Sequence, residues 1–558
     1  GEIIYDLRIK ENHAADEHKA GLTFSFFKKE KAGKTLLNES AVNDITGDKA
    51  IGNDITGNEA SASKTVSSEA LETETSLPNF RQGDAIILYE RNRDTDNVTN
   101  KMVFKGNIEY LTENEIGIRL RATQQNPSVL PAESLYAIEH DTMDTTFRSM
   151  YQGLYIYLSA RKERRDLLLS QRPPRFDESL DSMISRSEDD FTRIALKAKA
   201  AQDYFLLIGP PGTGKTSCAL KKMVETFHAD KDAQILLLSY TNRAVDEICK
   251  SLASIAPAVD FIRVGSELSC DETYRGHLIE NELSSCNRRS EVYERIRNCR
   301  IIVGTVAAIS GKPELFRLKH FDVAIIDEAT QILEPQLLGI LCARGEDGKD
   351  AIDKFVLIGD HKQLPAVVQQ NTEQSAIYDE SLLSIGLTNL KDSLFERLYR
   401  NCTATVHRSY DMLCRQGRMH PEVALFANRA FYGGRLIPVG LPHQIESSDT
   451  ICRLAFYPSV PEKAGASAKI NYSEARIVAD LAARIYEDHQ TDFDESRTLG
   501  IITPYRSQIA LIKKEIESLG IPALNRILVD TVERFQGSER DVIIYSFCVN
   551  YPYQLKFL

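Results

Sequence analysis

The stretch YFLLIGPPGTGKTSCALKKMVETF, Tyr204 to Phe227, decides how the rest of the chain is read. Its first five residues are apolar without alternation, as in a strand buried on both faces of a parallel sheet. A glycine-rich turn follows, and SCALKKMVETF then reads as a helix. Glycines between a strand and a helix let backbone amides turn inward around phosphate oxygens at the helix N-terminus. Gly209, Pro210, Pro211, Gly212, Thr213, Gly214, Lys215 and Thr216 therefore read as a phosphate loop. Lys215 is placed to reach the β- and γ-phosphates of ATP and Thr216 to hold Mg²⁺.

Downstream, the same design recurs: QILLLSY, RIIVGT, FDVAIID, KFVLIGD, LGIITP and DVIIYSF are apolar runs that end in polar turns. Strands of this kind belong to an α/β fold with parallel sheets covered by helices, where functional residues sit at the C-terminal strand ends. Two doubly wound domains fit the length, over residues 186–400 and 401–558. VAIIDEAT ends one run with adjacent carboxylates, which are costly there unless a cation is present. Asp327 is thus the expected Mg²⁺ ligand and Glu328 the base that orients the attacking water. Gln363, in VLIGDHKQLP, carries an amide that can donate to a γ-phosphate and accept from water. A charged helical insertion, residues 268–299, gathers Arg288, Arg289, Arg295 and Arg297. It reads equally as a solvated face or a nucleic-acid clamp.

Upstream, residues 1–79 form an N-terminal region whose segment 38–78 is polar, acidic and expected to be flexible; its repeated NDITG stops after two copies. DAIILYER, NKMVFKGNIEYL and EIGIRLRA alternate at period two, which predicts a small β-barrel over 80–140. A helical stalk is expected over 141–185. The 558 residues are 42% hydrophobic and 27% charged, without an apolar run long enough to cross a membrane. The start, GEIIYDLRIKENH, lacks both the features of a signal peptide and an initiator Met, as in a fragment. Ten cysteines without a Cys-x-x-Cys fit a reducing cytoplasm, with nucleoid association in a bacterial cell, and the spacing of Cys402, His407, Cys414 and His420 matches no zinc site. A net charge of -12 excludes a protein coated with nucleic-acid-binding surface but leaves room for a local basic groove.

CRQGRMHPEVALFANRAFYGG, Cys414 to Gly434, carries Arg418, which with Arg415 could simply share the solvated side of one helical turn. The order of motifs gives it another meaning. GPPGTGKT, SYTNRAVDEI, VGTVAA, IIDEATQ, LIGDHKQLP, QGRMHP, ITPYRSQ and VDTVERFQGSERDVII together resemble the superfamily 1 helicases, in the 5′-to-3′ branch of the nonsense-mediated-decay helicase and the Okazaki-fragment nuclease-helicase. The resemblance implies two RecA-like P-loop NTPase domains behind the barrel and stalk. It implies that Arg418, on the second domain, points across at the γ-phosphate, and that Gly537 and Glu539 contact the ribose. Thr241, Asn242, Thr305, Pro504, Tyr505 and Thr531 match the positions that line a single-strand track.

The implied activity is an ATP-dependent translocase or helicase on single-stranded DNA, in replication or repair, with RNA as the nearest alternative substrate. A nucleotide-gated binding module without unwinding is the alternative of another class. Two departures stand out. Phe191 occupies or adjoins the place of an adenine-reading glutamine, and Gly417 stands where the family carries a base-stacking tyrosine, so relaxed base specificity is expected. The resemblance also implies a last motif with a second arginine after Leu558 and allows a nuclease domain before Gly1. Slow turnover and little unwinding are the corresponding expectations for this chain.

Overall fold

The computed structural model describes residues 3–13, 23–27, 80, 83–112, 115–121, 126–141, 145–368, 370–405, 407–445, 453–461 and 468–556. The chain divides into two compact units, one of residues 1–142 with 459–558 and the other of residues 143–458.

A closed antiparallel barrel comprises β1 (Ile3–His13), β2 (Thr23–Phe27), β3 (Ala85–Glu90), β4 (Val103–Leu111), β5 (Glu115–Leu120) and β6 (Tyr136–His140), in the order β1-β2-β5-β4-β3-β6. Alternation puts Phe24, Phe26, Ile86, Leu88, Ile116 and Ile118 inside. The barrel thus takes two strands from ahead of the expected region 80–140. The acidic segment 38–78 lies outside the described residues.

In the unit of residues 143–458, seven parallel strands form one sheet: β7 (Tyr204–Ile208), β8 (Ile235–Ser239), β9 (Phe261–Val264), β10 (Ile301–Thr305), β11 (Phe321–Ile326), β12 (Ile352–Gly359) and β13 (Tyr410–Met412). Their order is β13-β7-β12-β11-β8-β10-β9. Every residue of β7, β8 and β10 is buried, because helices cover both faces and split the core into two clusters. The helix Thr145–Ser159 crosses the helix Glu334–Leu341 at backbone distance: a Cβ on Gly153 would lie 2.3 Å from the Pro335 carbonyl oxygen. β13, Tyr410–Met412, joins this sheet from beyond the expected boundary at Arg400. Beyond it β14 (Arg415–Gln416) pairs with β15 (Ile437–Pro438).

The C-terminal segment forms a smaller parallel sheet from β16 (Leu499–Ile502), β17 (Leu528–Asp530) and β18 (Val542–Tyr545), in the order β17-β16-β18. The helices Tyr472–Asp488 and Arg506–Ser518 pack on it through Ala475, Val478, Ala482, Ile509, Ile512 and Ile516. The α/β architecture with an N-terminal barrel is the one expected. Among the described residues no helix is long and apolar enough to cross a membrane, and the described cysteines are free thiols.

Candidate active site

The C-terminal ends of β7, β11 and β12 carry the phosphate loop, the acid pair and the glutamine. The Gly209 amide donates to the Gly359 carbonyl at 2.9 Å, tying the loop to the end of β12. Inside the loop the Thr213 hydroxyl donates to the Pro210 carbonyl at 2.8 Å. Gly212 and Gly214 sit at φ 73° and 74°, where any side chain is strained. Gly212 is doubly restricted, since a Cβ there would lie 2.4 Å from the Cβ of Arg418. The helix after the loop opens as a π-helical turn, Lys215–Leu220, and continues as the α-helix Lys221–His228.

The acid pair faces that helix. The Thr216 hydroxyl donates to Asp327 Oδ2 at 2.5 Å, and Lys215 Nζ lies 3.8 Å from Glu328 Oε1. Asp327 is 1% exposed, so its charge needs a partner. Glu328 has φ 55°, a left-handed conformation that costs a non-glycine residue about 1–3 kcal/mol and gathers at functional sites. Its amide donates to Asp327 Oδ1 at 2.8 Å, which holds the strained turn. Burial pushes the Glu328 carboxyl above its ordinary value; Lys215 opposes the rise and Asp327 adds to it.

Gln363 is held from the side. Its Nε2 donates to Asp360 Oδ2 at 2.8 Å, and the Asp360 amide donates to the Thr330 hydroxyl at 3.3 Å, so the glutamine loop is joined to the acid motif.

Arg418 is not on a helical turn with Arg415, which lies in β14. Its backbone is fixed by Gln416, whose buried Oε1 accepts from the amides of Arg418 at 3.0 Å and Met419 at 2.8 Å. Gln444 Nε2 donates to the carbonyls of Gln416 and Met419, both at 3.0 Å. The neighbouring Gly417 amide donates to the Gly212 carbonyl at 2.8 Å, which docks the segment on the phosphate loop, while the Arg418 residue stays exposed. Arg418 and Lys215 lie in the same compact unit, residues 143–458. The reason is β13, which pairs with β7 and keeps the chain after Arg400 on the first sheet.

Phe191, at the start of the helix Asp190–Ala200, is half-buried against the loop; a Cβ on Gly214 would lie 3.5 Å from its Cζ. At Gly417 a Cβ would press on the Leu441 Cδ1 methyl at 3.3 Å, so the methyl would have to yield slightly.

The track residues all follow C-terminal strand ends. Thr241 and Asn242 come after β8, and Thr305 closes β10. Thr241 and Thr305 cap the next helices, accepting from the Ala244 amide at 3.2 Å and the Ala308 amide at 3.1 Å. In the other unit, Pro504 and Tyr505 follow β16 and Thr531 follows β17, and the Tyr505 hydroxyl accepts from Gln554 Nε2 at 3.1 Å. Gly537, at φ 79°, and Glu539 are exposed in the turn before β18.

In the insertion, Arg295 is engaged by Asp260 and Glu282, both at 2.8 Å, Arg297 donates to the Leu318 carbonyl, and the Arg289 guanidinium lies 5.1 Å from the Tyr293 ring centroid. These contacts favour the structural reading of the cluster. Sequence reasoning missed Asp360, Thr330, Gln416 and Gln444, whose roles depend on partners distant in sequence. Asp360 stood in a quoted motif, and its carboxylate at a buried strand end was the available signal.

Fold and site together define a P-loop protein whose acid pair and Arg418 segment lie against one phosphate loop. Two AAA domain families match the chain, one over residues 185–285 and 279–371 and the other over 390–554. The chain is 27% identical over 525 residues to the DNA replication ATP-dependent helicase/nuclease DNA2 of Bos taurus, a match that covers 84% of this chain and 45% of that protein. It is 28% identical over 509 residues to the DNA replication ATP-dependent helicase/nuclease JHS1 of Arabidopsis thaliana, covering 84% and 34%. Against the DNA polymerase alpha-associated DNA helicase A of Saccharomyces cerevisiae it is 23% identical over 486 residues, covering 73% and 67%. These domain matches and relatives support a superfamily 1 helicase of the DNA2-like and nonsense-mediated-decay-like branch. The chain spans less than half the length of the two DNA replication helicase/nucleases.

Proposed function

We propose that this chain is an ATP-dependent translocase or helicase that moves 5′-to-3′ on single-stranded DNA in replication or repair. The observation that carries the reading is the docking of the Arg418 segment on the phosphate loop through Gly417 and Gly212. It brings the Arg418 backbone against the loop that holds Lys215 and Thr216, which supports Arg418 as the cation that hydrolysis of a nucleoside triphosphate calls on. The names of the relatives favour DNA over RNA as the strand.

The residues present fit ATP with Mg²⁺. Thr216 and Asp327 already bring a hydroxyl and a carboxylate oxygen within 2.5 Å, the hard oxygen donors that Mg²⁺ takes. A bound Mg²⁺ would neutralise phosphate charge. Lys215 binds the phosphates, and its ammonium, now 3.8 Å from Glu328, is available to do so. Glu328, raised by burial, is poised to take the proton of a water at its carboxylate. Gln363 orients that water, and Arg418 opposes charge that develops on the phosphoryl oxygens. Thr241, Asn242, Thr305, Pro504, Tyr505 and Thr531 contact the strand backbone and bases.

The test measures hydrolysis with single-stranded DNA against RNA, then strand displacement from duplexes with 5′ or 3′ tails. DNA-stimulated hydrolysis and displacement only from the 5′-tailed duplex are expected. Greater stimulation by RNA would reassign the substrate, and nucleotide-dependent DNA binding without displacement would leave a gated binding module.

A further inference from the structure

We infer that Tyr432 is a positioning residue for Gln363, acting through Asp360, and that it makes the glutamine and the Arg418 segment respond to nucleotide as one body. Tyr432 ends the helix Pro421–Tyr432, whose first turn begins three residues after Arg418. Its hydroxyl donates to Asp360 Oδ2 at 2.7 Å, and Gln363 Nε2 donates to the same oxygen at 2.8 Å. Asp360 is 1% exposed, and its Oδ1 accepts from the Lys362 amide at 3.0 Å, so the carboxylate is held from three sides. Burial and the Asp360 carboxylate keep the Tyr432 hydroxyl protonated far above its ordinary range, so it remains a donor.

The helix is thus fastened at both ends to the nucleotide site. At its start, Gly417 donates to Gly212 of the phosphate loop. At its end, Tyr432 holds the carboxylate that aims the Gln363 amide. A shift of the phosphate loop that moves Arg418 must therefore pull on Asp360, and a shift of Gln363 must pull on the helix. A charge-assisted hydrogen bond between buried partners transmits such a shift because leaving the carboxylate unpaired is costly. Without the Tyr432 hydroxyl the amide of Gln363 keeps its partner but loses the link to Arg418.

The inference rests on the proposed ATP hydrolysis, and the test separates the two. Tyr432→Phe removes only the hydroxyl, and Asp360→Asn replaces one acceptor oxygen by an amide that repels the Gln363 amide. DNA-stimulated turnover and ATP KM are measured for each variant, alone and combined with Gln363→Ala, with thermal stability followed in parallel. The expected result is a fall in kcat of about tenfold at nearly unchanged KM for Tyr432→Phe. Gln363→Ala should cost less in that background than in the parent chain, because the two changes share one linkage. Hydrogen exchange with a non-hydrolysable ATP analogue supplies a readout that needs no turnover. In the parent chain the analogue should slow exchange in residues 360–368 and 417–432 together, and in Tyr432→Phe it should slow the first segment alone. Absence of turnover in the parent chain would overturn the proposed hydrolysis and leave the exchange comparison to decide the linkage. Additive losses, or identical exchange in parent and variant, would overturn the linkage itself.

Discussion

The two ends of strand β7 carry charge in opposite ways. At the amino end, Asp203 is 3% exposed and is bound by Arg172 at 2.8 and 3.0 Å and by Arg175 at 2.9 and 3.1 Å. Although burial alone would raise that carboxyl, these partners hold it well below the usual carboxylate range. At the carboxyl end the phosphate loop leaves β7 and meets Asp327 and Glu328 from the end of β11, and Glu328 is pushed up instead. One end is satisfied by its own chain. The other has two adjacent acids facing one lysine and one threonine, an arrangement that a phosphate and a cation would complete. Buried charge that is already compensated contributes to stability, and buried charge that is left incomplete marks the site of chemistry.

Substitutions at the two ends should therefore fail in different assays. Glu328→Gln removes the base and keeps the shape, so turnover should fall about 10³–10⁴-fold with ATP affinity and melting temperature nearly unchanged. Lys215→Ala should instead weaken nucleotide binding itself. Equal loss of binding in the two variants would erase the distinction between base and phosphate ligand. Arg418→Ala comes next: its charge matters most when charge develops on the phosphoryl group, so kcat should drop about 10³-fold with a small change in affinity. Single-turnover hydrolysis beside equilibrium binding checks both.

At the amino end the effect should appear in stability alone. Asp203→Asn leaves Arg172 and Arg175 without their carboxylate. A wholly buried pair broken on one side costs about 3–5 kcal/mol, and the 66% exposure of Arg175 brings the expected loss to about 2–3 kcal/mol. The parent chain should show the matching pH dependence. The folded-state pKa lies below the unfolded one, so the stability from Asp203 is present above about pH 4 and is lost as pH falls through the folded value. Denaturant melts of parent and Asp203→Asn from pH 7 downward should converge. A gap that stays constant with pH would show that the loss does not come from the Asp203 charge.

How much of this was legible in the sequence follows from the same physics. Strands buried on both faces must be apolar throughout, so YFLLI, ILLLS and IIVGT announced the large sheet, and acids at such strand ends announced the site. The barrel's β1 and β2 were not legible, because a long polar segment separates Phe27 from Ala85 and hides their shared periodicity. Tyr432 was not legible either. Nothing in NRAFYGG indicates that its hydroxyl meets Asp360, 72 residues away. The docking of Gly417 on Gly212 likewise depends on β13 joining the first sheet, which its three residues alone do not signal.

The smallest expected effect concerns the nucleobase and bears on whether the incomplete end of β7 recognises more than phosphate. The Phe191 ring is packed toward Gly214 and offers no hydrogen bond to a base edge, and Gly417 offers no ring to stack on. The groups that surround the loop, Lys215, Thr216, Asp327, Glu328 and Arg418, meet features that ATP and GTP share. Discrimination requires a contact that differs between the two, so their kcat/KM values should agree within about threefold. Gly417→Tyr sharpens the test: the Leu441 methyl 3.3 Å from the new Cβ is the end of a flexible side chain that can yield, and a ring stacked on the base should tighten both nucleotides by about 1 kcal/mol without separating them. Phe191→Gln should act differently, since an amide at that position can pair with one base edge and not the other, and it should favour ATP. A parent chain that already prefers ATP a hundredfold would show that another side chain reads the base, and that the carboxyl end of β7 is completed by the whole nucleotide rather than by its phosphates.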